Sequence, residues 1–174
     1  MDTFIAHFFA YISLSMLCVA ILLTAISFIA HKKHLTSQEA TQIALLYLLL
    51  FCSGMGFLWD SIFYATLPGA GTGLEGLFAL PLSWQVSGAY AAIALICIIG
   101  AFNHHYFRLA AVVLSSITMW SQGIADVYFN HAAILAQPIL TYLNISADLL
   151  TPFLLIGLYV ASHKHQENAV NAQA

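Results

Sequence analysis

Three aspartates sit where a carboxylate is costly. Asp60 lies in FLWDSIFY, Asp126 in SQGIADVYFN and Asp148 in DLLTPFLLI, each within or at the end of a long apolar run. An ionised carboxylate in hydrocarbon costs at least about 2.5–3.5 kcal/mol. These groups must therefore face a protein interior or a wet cavity. They must also be met by a proton, a histidine, hydrogen bonds from Trp, Tyr, Gln or Asn, or a bound cation. Helical spacing gathers further polar residues beside them. Ser115, Thr118, Gln122, Asp126 and Asn130 recur at intervals of three or four, as do Ser53, Gly56, Asp60 and Tyr64. Asn144, Asp148 and Thr151 continue the pattern, and His7, Tyr11 and Ser15 share a face near the amino terminus. Trp84, Gln85, Ser87 and Gly88 open another apolar stretch.

The elements that must position these residues follow from composition. The chain has 174 residues, 61% hydrophobic and 6% charged. Soluble domains carry about 25% charged residues, so this chain lacks the charge to cover a water-facing surface and reads as an integral membrane protein. Five stretches reach the length of a span, at roughly 4–30, 40–67, 84–102, 107–129 and 143–162. The expected fold is an all-α polytopic membrane helix bundle with five transmembrane helices, one domain over 1–162, and a polar, frayed cytoplasmic tail at 163–174. The first stretch lacks a basic leader and is followed by HKKH at 31–34, so it reads as a retained helix rather than a signal peptide. The 68–83 segment, PGAGTGLEGLFALPLS, is expected not to form a regular spanning helix, because Gly and Pro interrupt it.

Five spans put Lys32, Lys33, Arg108 and Lys164 on one side, which the positive-inside bias makes cytoplasmic. The amino terminus and the 68–83 and 130–142 loops then face outward. On that topology Asp60 lies about 12 Å, and Asp126 and Asp148 about 6 Å, from the outer helix ends. The three carboxyls are expected to converge there, with Glu75 above them in the loop. Gln85, Gln122 and Tyr64 are the expected supporting residues. His7 and His131 at the rim are weak metal candidates.

Other features exclude more than they suggest. The few basic residues form no patch for nucleic acid. Cys18, Cys52 and Cys97 lie in apolar runs at spacings that fit buried hydrophobes better than a disulfide or metal framework. The inner-side histidines His31, His34, His104, His105, His163 and His165 are a weak metal signal, with His31 and His34 at i, i+3, and read more readily as polar helix-end residues; their place at helix ends disfavours haem. There is no P-loop, GxSxG, HExxH or Rossmann fingerprint. No catalytic residue and no cofactor is assigned, beyond a bound cation.

From Leu46 to Val160, LWDSIF (58–63), SWQVSGAYA (83–91), GIADVYFN (123–130) and DLLTPFLLI (148–156) resemble small bacterial membrane proteins of uncharacterised function, loosely DoxX-like. The resemblance implies a four-helix core with the first helix as an addition, and no established reaction. The leading expectation is a bacterial inner-membrane protein that binds or translocates a small cationic or protonatable solute at Asp60, Asp126 and Asp148. Two rival expectations are an accessory subunit of a larger membrane complex, and an enzyme using the aspartates as acid and base on a lipid-like or quinone substrate. The expected partners are membrane lipid and a membrane protein or second copy.

Overall fold

A computed structural model describes residues 11–30, 36–66, 79–103, 106–129 and 138–171. Five helices run through them: α1 (Ile12–Ala30), α2 (Ser37–Thr66), α3 (Ala79–Phe102), α4 (Tyr106–Phe129) and α5 (Pro138–Asn171). No strand occurs among the described residues. Two of these helices depart from the expected boundaries. α3 starts at Ala79, inside the segment expected to stay irregular. Pro81 falls in its first turn, where its missing N–H would have had no helical partner. α5 runs on through the polar tail to Asn171.

α1, α2, α3 and α5 are long and apolar enough to cross a membrane. The 24 residues of α4 reach about 36 Å, so its length suffices. It falls short in apolarity because its sequence carries the polar stripe and Arg108.

Local chemistry explains where α2 begins and where its winding changes. Thr36 and Glu39 form a capping box: the Thr36 hydroxyl accepts from the Glu39 N–H at 3.3 Å, and the Glu39 carboxylate accepts from the Thr36 N–H at 2.9 Å. Midway along, Leu48–Met55 winds as a π-helix, a geometry that recurs at functional sites. Gly54 in this stretch lets α3 approach closely, since a Cβ there would stand 2.7 Å from Ile98 Cγ1.

Side-chain contacts fix the order of packing. Ser61 near the end of α2 pairs with Ser87 near the start of α3. Cys97 near the end of α3 meets Ala111 near the start of α4. Trp120 in α4 donates to the Leu149 carbonyl of α5 at 3.2 Å. Asn144 near the start of α5 accepts from the Leu14 N–H near the start of α1 at 3.1 Å. Successive helices are therefore antiparallel, and α5 runs parallel to α1 and closes the bundle against it.

The bundle has two unlike halves. The half containing the α3–α4 connection holds Leu45, Leu49, Cys97, Ala101, Ala111 and Leu155, all fully buried and apolar. Gly100 there supports very close packing: a Cβ would stand 2.6 Å from Ala111 Cβ and 3.0 Å from the Phe107 carbonyl oxygen. The other half buries Ser61, Ser83, Ser87, Thr141 and Asp148.

Candidate functional site

Three helices bring the aspartates into the polar half. α2 supplies Asp60 one turn beyond the π-helical stretch, α4 supplies Asp126, and α5 supplies Asp148. Asp60 and Asp126 are partly buried, and Asp148 is 3% exposed. The three carboxyls interact electrostatically with one another. They do not crowd onto one point. Among the described residues no three His, Cys, Asp or Glu side chains form a group that could hold a metal ion.

Each carboxyl is met differently. Asp60 Oδ2 accepts from the Gln122 amide at 2.9 Å, and the same amide nitrogen lies 3.3 Å from the Tyr90 hydroxyl. Gln122 thus ties α4 to both α2 and α3. Asp148 is hydrogen-bonded by Ser13 of α1. Its Oδ1 atom is buried and has no hydrogen-bond partner. Pro152 lies four residues on and has no N–H, so the helix offers no amide to the Asp148 carbonyl either. A buried unpaired acceptor is expensive, because desolvation is not repaid. Asp148 therefore carries surplus acceptor capacity in its side chain. Gly123 of α4 brings the two helices together here, since a Cβ on it would lie 3.4 Å from Asp148 Cβ.

An aromatic stack flanks the carboxyls. Phe57 and Tyr64 are two turns apart on α2, and Tyr90 of α3 stacks on both, with ring centroids 5.9 Å and 5.6 Å away. Tyr64 interacts electrostatically with Asp60 and Asp126. Arg108 and Lys164, the Lys and Arg side chains among the described residues, are remote. Arg108 precedes Asp126 by 18 positions, about 27 Å along α4, and Lys164 follows Asp148 by 16, about 24 Å along α5. Arg108 instead donates to the Gly100 and Ala101 carbonyls at the end of α3.

Asp60, Asp126, Asp148, Gln122 and Tyr64 are thus brought into one region. Gln85 is not, being exposed on α3 beside Trp84. The buried face of α3 is Ser83, Ser87, Ala94, Cys97 and Ala101, and Gln85 lies off it. Tyr90 is on that face, and it joins the site without having been expected there. The three- and four-residue spacing of small side chains was the signal that could have found it. Ser13 was missed because it lies off the face that His7, Tyr11 and Ser15 mark near the amino terminus. Glu75, His7 and His131 lie outside the described residues.

Fold and site together define a polytopic helical membrane protein with carboxylates in its interior. The chain belongs to DUF6790, a family of unknown function, whose model matches residues 10–168. That match takes in α1 together with the other four helices, so the first helix is part of the family unit rather than an addition to a four-helix core. The comparisons give no link to DoxX-like proteins, and no curated protein or solved structure matches the chain.

Proposed function

We propose that the polar half of the bundle binds a small cationic or protonatable solute, and that Asp60, Asp126 and Asp148 supply its negative charge. The observation that carries this reading is the buried Asp148 Oδ1 atom without a partner. Asp148, buried beside the two other carboxyls, is remote from Arg108 and Lys164 and lacks, among the described residues, the positive partner that a buried charge ordinarily has. A cationic guest would supply it. The reading extends to a protein of a bacterial inner membrane with its carboxylate half facing outward, since Arg108 and Lys164 lie toward the opposite end. Passage of the solute across the bundle would require the tightly packed apolar half to open.

The test is calorimetric binding of simple cations to the purified full chain in lipid nanodiscs. Binding is expected to fall at least tenfold in Asp148→Asn and to weaken in Asp60→Asn and Asp126→Asn. Equal binding by the original chain and all three variants sinks the reading, as does no binding of any cation.

A further inference from the structure

We infer that the guest of this site is an organic ammonium carrying an apolar or aromatic group, rather than a metal ion. The inference rests on the cation-site reading above and narrows it.

The first argument is spacing. A metal ion bound by protein oxygens draws them to about 2.0–2.6 Å from one centre. The three aspartates are near enough to interact electrostatically, yet no three acidic, His or Cys side chains among the described residues are grouped to hold such an ion. An ammonium reaches further. Its N–H donors make hydrogen bonds of about 2.7–2.9 Å to carboxylates, and its substituents extend the guest beyond a single point.

The second argument is what the carboxyls still lack. Asp60 Oδ2 already has the Gln122 amide as donor. Asp148 Oδ1 has no donor within the protein, and the residue is 3% exposed. It is an acceptor waiting for a donor, and a charged N–H satisfies it more strongly than a neutral one. This unpaired oxygen is independent of the acidic grouping itself.

The third argument is the wall beside the carboxyls. Phe57, Tyr90 and Tyr64 stack in sequence, and Tyr64 interacts with both Asp60 and Asp126. An aromatic face next to carboxylates is the combination that recognises ammonium ligands, with the ring quadrupole attracting the cation and the ring body covering its carbon substituents. A bare alkali ion would use neither the carbon surface nor the directional donors. The ammonium therefore sits toward the unpaired Asp148 oxygen, and its carbon substituent lies along Tyr64.

Such an ammonium could belong to a free amine or to a lipid headgroup, and the test separates these sources. Phenethylamine, tetraethylammonium and sodium chloride are titrated calorimetrically into the full chain in phosphatidylglycerol nanodiscs at constant ionic strength. Phenethylamine is expected to bind more tightly than sodium. Tyr64→Ala should weaken it by about 2- to 30-fold, the range that cation–π contacts cover, while Tyr64→Phe retains most of the affinity. Asp148→Asn should weaken it at least tenfold. Size-exclusion profiles matching the original chain confirm that each variant is folded. Repeating the titration in nanodiscs containing phosphatidylethanolamine identifies the source. Lost phenethylamine affinity there means that headgroups occupy the site, and unchanged affinity means a free amine; both fit an ammonium guest. Sodium binding that depends on Asp148 and exceeds that of phenethylamine, the probe with N–H donors, overturns this inference and leaves the cation site standing. Amine binding indifferent to Tyr64→Ala overturns it too. Absence of binding by all three probes overturns both.

Discussion

The two halves of the bundle use the same helices for opposite purposes. In the apolar half, Gly100, Ala101 and Ala111 bring α3 and α4 so close that a single added methyl would strike Ala111 and the Phe107 carbonyl. The polar half is held by directed bonds between helices: Gln122 to Asp60 and Tyr90, Ser61 to Ser87, and Trp120 to Leu149. Close packing leaves no place for a guest. A network held at a few points can leave one acceptor unmet, as Asp148 Oδ1 is. On the proposed function, the apolar half supplies stability and the polar half recognition. Helix irregularities lie toward the boundary between the halves: the π-helical Leu48–Met55 in α2 and Pro152 in α5.

The largest expected effect breaks the apolar half. Gly100→Leu places atoms against the α4 backbone, which cannot turn away as a side chain can. The cost should be about 1–3 kcal/mol or more, as for other overpacked interiors, read as a lowered midpoint in denaturant unfolding of the solubilised protein. A stability equal to the original chain would mean that the two helices are not held as closely as described. Next comes Gln122→Leu in the polar half. It removes the amide donor from Asp60 and the bridge to Tyr90. Losing the partner of a buried polar group costs about 1–3 kcal/mol. Here stability and ligand affinity should both fall, whereas Gly100→Leu should affect affinity only through unfolding. Gly157→Ala gives the opposite sign. A Cβ there meets nothing within 4 Å, so alanine should be neutral or stabilise α5 by up to about 1 kcal/mol through helix propensity. A destabilised Gly157→Ala protein would show a packed neighbour on that face.

The sequence revealed the class of fold more readily than the site, and particular residues show why. The scarcity of charge and the long apolar runs reflect the solvent the helices meet, which composition registers directly. The stripe from Ser115 to Asp126 was legible because α4 is regular, so a period of 3.6 holds along it. The start of α3 was not, because Pro81 reads as a breaker until its place in the first turn is known. Gln85 was chosen for its chemistry although it lies off the small-residue face of α3, while Tyr90 on that face was passed over. The π-helical stretch left no mark in LLLFCSGM beyond its glycine, because it depends on how α2 meets its neighbours. The pairing of Ser13 with Asp148 joins residues 135 positions apart, a distance at which helical periodicity says nothing.

The smallest expected effect sharpens the contrast most. The Ser87 hydroxyl donates to the Ser61 carbonyl at 2.8 Å, and the two hydroxyl oxygens lie 3.2 Å apart. Both side chains are buried at the α2–α3 contact. In Ser87→Ala the Ser61 hydroxyl loses this neighbour, but a helical serine can turn its O–H back onto the carbonyl four residues earlier. The loss should therefore be modest, about 0.6 kcal/mol, the average for side-chain hydrogen bonds between helices in a membrane. Ser61→Ala should cost no more, since Ser87 would keep the carbonyl as its acceptor. If either variant loses well over about 1.7 kcal/mol, the upper end for such bonds, hydroxyl pairs rather than carboxyl contacts fasten the polar half. Gln122 would then be a recognition residue first and a structural one second, and Gln122→Leu would fall further below Gly100→Leu in its cost to stability.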